Sequence, residues 1–454
     1  MSLSPTPVLG DPPRAANPAL PVEILRFNTC GSVDDGKSTL IGRLLYDSKA
    51  LMEDQLEALE RSADITGGGQ INLANLTDGL RAEREQGITI DVAYRYFATP
   101  RRRFIIADTP GHVQYTRNMA TGASNANLAI VLVDARKGVV EQSRRHTFIA
   151  ALLGIPHLVV AVNKMDLVGW SEARFLEIRE VFEGFLPRLG ALRDVKFIPI
   201  SALNGDNVVT ASPHTPWYQG PGLLGHLETV HIASDHNLRS LRFPVQWVNR
   251  PASPTDPTLH DFRGFSGQIA GGIVKTGQEV LVLPGGQRST VKEIWTYDGP
   301  LPEAFCPQSV TLRLTDEIDC GRGDMLVDPA HLPGCAHELE ARVVWMHPRP
   351  LVPGRKLLLK HTTCTCRAVV TTIESRVSFE TLDNEPDPPS QLGLNDIGSV
   401  RLRTTRRLVF DSYRDNRLTG SFILVEEGTN QTAGAGMLEP PRELYKPDFE
   451  DFAI

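Results

Sequence analysis

Gly31-Ser32-Val33-Asp34-Asp35-Gly36-Lys37-Ser38 is the stretch on which the fold turns. It meets the spacing GxxxxGK[ST] between an apolar run, Ile24 to Cys30, that predicts a strand and an amphipathic stretch from Lys37 that predicts a helix. Glycines let main-chain N–H groups close around phosphate oxygens, and the helix N-terminus adds the positive end of its dipole. Lys37 supplies a point charge between the β- and γ-phosphates and counts as catalytic; Ser38 offers a hydroxyl to Mg²⁺. Thr39, next along, belongs to the same binding set.

Outward from the loop, short apolar runs alternate with longer amphipathic stretches. Strands are predicted at Phe104 to Ala107, Leu128 to Val133, Leu158 to Val162 and Lys196 to Ile200. Helices are predicted to start near His112, Glu141, Ser171 and Leu223. This alternation argues for a parallel sheet covered on both faces.

Three further segments sit at predicted strand ends. In Asp108-Thr109-Pro110-Gly111-His112 the carboxylate of Asp108 can hold Mg²⁺, and Gly111 can place its N–H near the γ-phosphate. His112, beside it, can orient the attacking water, in a chemistry that is mostly positioning and charge stabilisation. In Asn163-Lys164-Met165-Asp166 the Asp166 carboxylate can accept two hydrogen bonds from guanine that adenine cannot give, which decides GTP over ATP. Asn163 is expected to brace the loops and the Lys164 stem to lie over the base. Ser201-Ala202-Leu203 can offer a main-chain N–H to guanine O6. In Arg84-Glu85-Gln86-Gly87-Ile88-Thr89-Ile90, Thr89 can ligate Mg²⁺ only while the γ-phosphate is present, the order–disorder step of a switch. The stretch from Ser62 to Gln86, with Gly67-Gly68-Gly69, reads as a mobile segment. GTP and Mg²⁺ are the ligands this set implies.

Composition agrees with a multidomain soluble protein. The 454 residues allow about two to four domains. A formal net charge of -7 argues against a protein that coats nucleic acid. Six cysteines are no disulfide scaffold, the N-terminus lacks a signal-peptide pattern, and no apolar run is long enough to span a membrane. A cytoplasmic location is the expectation. Cys364 and Cys366, two apart in an apolar alternation, point to the same strand face, as plain strand residues or with a metal or redox role.

The domains are then expected as a mobile tail over 1–22, a nucleotide-binding α/β domain over 23–236, an all-β barrel over 237–332, a second over 333–440 and a C-terminal tail over 441–454. Pro329 to His337 reads as a linker, and residues from Glu439 as trailing over the surface.

With DTPGH, NKMD and two β barrels, the chain resembles the elongation-factor-Tu class of translational GTPases. It is more closely similar to the GTPase subunit (CysN type) of the bacterial heterodimeric sulfate adenylyltransferase. The likeness rests on Thr29 to Leu45, Ile106 to His112, Gln114 to Ser124, Ser201 to Val208, Trp217 to Pro221, Asp316 to Asp319 with Arg322-Gly323-Asp324, and Thr419 to Leu424. It implies a P-loop GTPase domain followed by two all-β barrels. It further implies that GTP hydrolysis here drives formation of adenosine 5'-phosphosulfate at a catalytic ATP-pyrophosphatase-type subunit (CysD type). Neither nucleic acid nor membrane is then a partner, and no fused adenylylsulfate kinase is expected. The resemblance gives Asp34 a role near a monovalent cation. The alternative is a translation-type GTPase delivering RNA. Val113, Cys320 with Gly321, and the Cys364/Cys366 strand depart from the family pattern; Val113 bears on how His112 is oriented.

Overall fold

The computed structural model describes residues 24–445 apart from 33, 50–90, 111–115, 190–191, 193, 233–236, 252–261 and 380. The N-terminal tail, the segment from Ser62 to Gln86 and Thr89, and the residues Val33, Gly111, His112 and Val113 lie outside the described residues.

The first domain is a six-stranded sheet in the order β2-β3-β1-β4-β5-β6. Its strands are β1 (Ile24–Cys30), β2 (Ala93–Ala98), β3 (Arg103–Asp108), β4 (Leu128–Asp134), β5 (His157–Asn163) and β6 (Asp194–Pro199). Five run parallel, and β4 is buried along its whole length, as a strand covered on both faces must be. The exception is β2, an edge strand absent from the sequence reading, which runs antiparallel to β3. A tight turn, Thr99 N to Arg102 O at 2.9 Å, joins the two and allows no crossover.

One face carries α1 (Lys37–Asp47) and α5 (Leu223–Thr229), where Leu40, Ile41 and Leu44 meet Leu25, Phe27 and Ile106. Their i, i+1, i+4 spacing gives α1 its buried stripe. The other face carries α2 (Thr116–Ala123), α3 (Glu141–Leu152) and α4 (Glu172–Glu183). Ser171 caps α4, its hydroxyl accepting from Arg174 N, and Phe175, Ile178 and Phe182 form the buried stripe.

The strands between Arg242 and Val327 form an eight-stranded sheet beside a two-stranded one. From Gly334 to Leu438, six strands close into a barrel. The strand Gly334–Trp345 begins inside the expected linker, because Gly334 already pairs with Phe410. The segment after Glu439 is also more tightly held than a trailing tail. Tyr445 is buried against Leu281, Leu283 and Val327, and its N–H donates to Pro333 O at 2.8 Å.

The nucleotide domain and the closed barrel share an apolar cluster in which α2 and α3 side chains meet Val344, Met346, Ile397 and Tyr413. Tyr413 Oη donates to Leu153 O at 2.8 Å, and Arg417 donates to Ser124 O at 2.6 Å and Ala126 O at 3.1 Å, just beyond α2. Among the described residues no helix is long and apolar enough to cross a membrane.

Candidate nucleotide site

The site lies at the carboxyl ends of β1, β3, β4 and β5, where parallel strands deliver polar residues to one edge. Gly36 precedes α1 in the left-handed region at φ 91°, a conformation that glycine adopts freely. A Cβ there would stand 2.5 Å from Asn163 Nδ2, so the phosphate loop and the end of β5 are in close approach.

Asn163 is the strut of this edge. Its Nδ2 donates to Asp35 O at 2.7 Å and its Oδ1 accepts from Ala202 N at 2.9 Å. One buried carboxamide thus joins the phosphate loop, the end of β5 and the Ser201-Ala202-Leu203 turn. Ile200 O accepts from Met165 N at 3.2 Å and fastens that turn again.

Lys37 Nζ lies 3.3 Å from Asp108 Oδ1 and donates to Thr109 O. Thr109 Oγ1 donates to Thr29 O at 2.8 Å, tying the ends of β1 and β3. Asp108 and Thr109 are both buried. A serine hydroxyl at the start of α1 and a carboxylate at the end of β3 are hard oxygen donors, the set a magnesium ion takes.

Asp35 turns inward. Its Oδ2 accepts from Ser32 N at 2.7 Å, closing the phosphate loop on itself. Burial pushes its carboxyl up to about 6, against the Ser32 hydrogen bond and the charges of Lys137 and Lys164. Asp34 stands at φ 67°, and its carbonyl accepts from Lys164 Nζ.

One residue here escaped the sequence reading. Asp134, ending β4, is fully buried and receives Lys164 Nζ at 3.0 Å and Arg136 Nη2 at 2.6 Å. Burial opposes its ionisation, but hydrogen bonds from Arg136 and Lys164 outweigh this and hold its carboxyl well below the usual range. A polar residue closing an apolar strand was the available signal, as at Asp108 and Asn163. Lys164, itself at φ 63°, is therefore fixed from below by Asp134 and from the side by the phosphate loop. Asp166 is half-buried in the 3-10 turn Met165–Val168.

A phosphate loop at a helix start, a buried strand-end aspartate and an NKMD turn on one parallel-sheet edge define a GTP-binding domain of the elongation-factor-Tu type. The family model for the elongation factor Tu GTP binding domain matches residues 22–242, and the GTP-eEF1A C-terminal domain-like model matches residues 338–439. The chain belongs to the family of sulfate adenylyltransferase subunit 1. It is 55% identical over 418 residues to the "Sulfate adenylyltransferase subunit 1" of Bacteroides fragilis, covering 92% of this chain and 86% of that one. It is 54% identical over 417 residues to the protein of that name from Teredinibacter turnerae, covering 91% and 87%. The "Bifunctional enzyme CysN/CysC" of Mycobacterium tuberculosis is 55% identical over 416 residues, 91% of this chain and 67% of the relative.

Proposed function

We infer that this chain is the GTP-hydrolysing subunit of a sulfate adenylyltransferase, and that its hydrolysis drives formation of adenosine 5'-phosphosulfate and diphosphate from ATP and sulfate on a partner subunit. Subunit relatives at 54–55% identity over more than nine-tenths of the chain carry the reading. The strut through Asn163 gives it a physical basis, since it ties the phosphate loop to the base-reading turn.

In this reading Gly31 to Thr39 cradle the phosphates, with Lys37 released from Asp108 to meet them. Ser38, Asp108 and Thr89 hold Mg²⁺, which neutralises charge on the β- and γ-phosphates. Asp166 reads guanine, Lys164 lies along the base with its ammonium held by Asp134, and Ala202 N–H, with Ser201 and Leu203 beside it, faces O6. Thr109, Pro110, Gly111 and His112 serve the γ-phosphate, His112 orienting water. The partner is a catalytic ATP-pyrophosphatase-type subunit (CysD type), in the cytoplasm, a reducing compartment that suits six free thiols.

The test mixes the chain with that catalytic subunit, ATP, sulfate and a diphosphatase. Output of adenosine 5'-phosphosulfate is expected to rise several-fold with GTP and to stay at baseline with GDP. Output indifferent to GTP ends the reading.

A further inference from the structure

The two turns on the base side of the site leave the sheet from neighbouring strands. Lys164 to Trp170 follows β5, and Ser201-Ala202-Leu203 follows β6. Asn163 joins them from within. A second link runs through Trp217, whose indole Nε1–H donates to Trp170 O at 3.2 Å.

Trp170 stands at φ 58°, in the left-handed region, after Lys164 at 63° and Gly169 at 62°. A glycine adopts this conformation freely, whereas a bulky side chain keeps it only where its surroundings hold it there. The Trp170 N–H donates to Met165 O at 2.9 Å, closing the turn that carries Asp166. Its indole stacks on the His214 imidazole, with centroids 5.4 Å apart, and its carbonyl accepts from Trp217. The first of these holds lies within the turn. The other two come from the segment that follows β6.

That segment is firmly rooted. Asn207 Nδ2 donates to Pro199 O at 2.8 Å, at the end of β6, and to Thr215 Oγ1 at 2.9 Å. Its Oδ1 accepts from Ser212 N at 2.8 Å, and all of these bonds are buried. The Trp217 ring packs on Phe175 of α4, with centroids 5.3 Å apart. Trp217 is thus anchored by its own neighbours and presents an N–H to the carbonyl of a strained residue, four positions beyond Asp166.

We propose that Trp217 is a positioning residue for base recognition: by holding Trp170 it fixes the turn from Lys164 to Trp170, and so sets where the Asp166 carboxylate stands. The inference rests on the reading in which Asp166 accepts from guanine, and in it Trp217 acts through Trp170 rather than on the base. Recognition groups work only when held to within about 0.5 Å by supports that are themselves locked. Without the indole N–H, Trp170 is free to relax toward negative φ, and the turn carrying Asp166 moves with it.

Inosine triphosphate gives the test its readout. It lacks the 2-amino group of guanine and so measures one of the two hydrogen bonds to Asp166. Affinities for GTP, inosine triphosphate and GDP are measured on the full chain by competition against a fluorescent GTP analogue. The proteins are wild type, Trp217→Phe, and a chain with benzothienylalanine in place of Trp217, which keeps the indole shape and puts sulfur where the N–H was. Wild type is expected to prefer GTP over inosine triphosphate. Both replacements are expected to lose about three- to tenfold of that preference, what one hydrogen bond is worth, with the ratio of GTP to GDP affinity unchanged. A general loosening of the fold would weaken both triphosphates alike and leave the preference where it was. An unchanged preference in the benzothienylalanine chain overturns the proposal and leaves the reading of Asp166 intact, whatever Trp217→Phe does. A wild type without the preference overturns that reading, and the proposal with it. The isosteric replacement decides the matter even where Trp217→Phe folds poorly.

Discussion

The carboxamide of Asn163 crosses 128 positions of sequence to donate to the main-chain carbonyl of Asp35 at 2.7 Å. Its other end receives the Ala202 N–H, so one side chain sets the distance between the phosphate loop and the Ser201-Ala202-Leu203 turn. Asn163→Ala leaves a buried carbonyl and a buried N–H without this partner, at a cost of about 1–3 kcal/mol for each such group. We expect GTP affinity to fall by about ten- to a hundredfold, with discrimination against ATP reduced. Titration with a fluorescent GTP analogue checks this. Unchanged affinity would make the strut incidental.

Asp166 supplies the second prediction. In the proposed reading its two acceptor oxygens, together with the Ala202 N–H at O6, separate guanine from adenine, and a site built on a specific hydrogen bond rejects the wrong partner by about 10⁴-fold. Asp166→Asn inverts one hydrogen bond. GTP binding is expected to weaken by orders of magnitude while xanthosine triphosphate binding improves, in the same competition assay. A variant that keeps its preference for guanine would refute the assignment.

Much of this edge was legible in the sequence, for a physical reason. Parallel strands buried on both faces read as unbroken apolar runs, and three of them here end at a polar residue on the site edge: Asp108, Asp134 and Asn163. What stayed hidden depends on contacts between distant segments. Tyr94 and Tyr96 of β2 face outward, so the strand shows no apolar-in, polar-out alternation, and only Phe97 is buried. Asp134 closes an apolar run, and its place in the site depends on contacts with Lys164 and Arg136 that the run itself does not encode. Tyr445 reads as part of a polar tail and is buried because Leu281, Leu283 and Val327 leave a place for it.

The raised carboxyl of Asp35 makes a pH prediction. A folded-state value of about 6 against an ordinary 3.8 means that the folded chain holds this proton more tightly than the unfolded one. The contribution to stability is fully present below 3.8 and is lost as pH rises through about 6. Asp35→Asn keeps an acceptor for Ser32 N–H and removes the ionisation that Asp134 further disfavours. The nucleotide-free variant is therefore expected to melt close to wild type at about pH 4, and above it by about 2 °C or more at pH 8. Melting curves across this range decide it, and two parallel pH profiles would show that Asp35 does not titrate there.

The last prediction concerns how the two β units are joined. Arg242 forks onto Asp411, with Nε to Oδ2 and Nη2 to Oδ1 both at 2.8 Å, and its Nη1 donates to Leu241 O and His331 O. The guanidinium is almost fully buried and Asp411 largely so, and the pair spans the seam between the eight-stranded sheet and the barrel. Removing one member of such a pair strands the other charge, at a cost of about 3–5 kcal/mol. Replacing both by apolar side chains of similar volume removes the charge together with its desolvation penalty. Asp411→Leu is therefore expected to lower the denaturant midpoint clearly, whereas Arg242→Met combined with Asp411→Leu recovers a substantial part of the loss. Thr419, whose hydroxyl donates to Asp411 Oδ2 at 2.6 Å, loses its partner in both variants, which is why recovery stays incomplete. Urea unfolding of the two variants beside wild type measures the difference, and a double variant as unstable as the single one would place the cost in lost packing at the seam rather than in an unpaired charge.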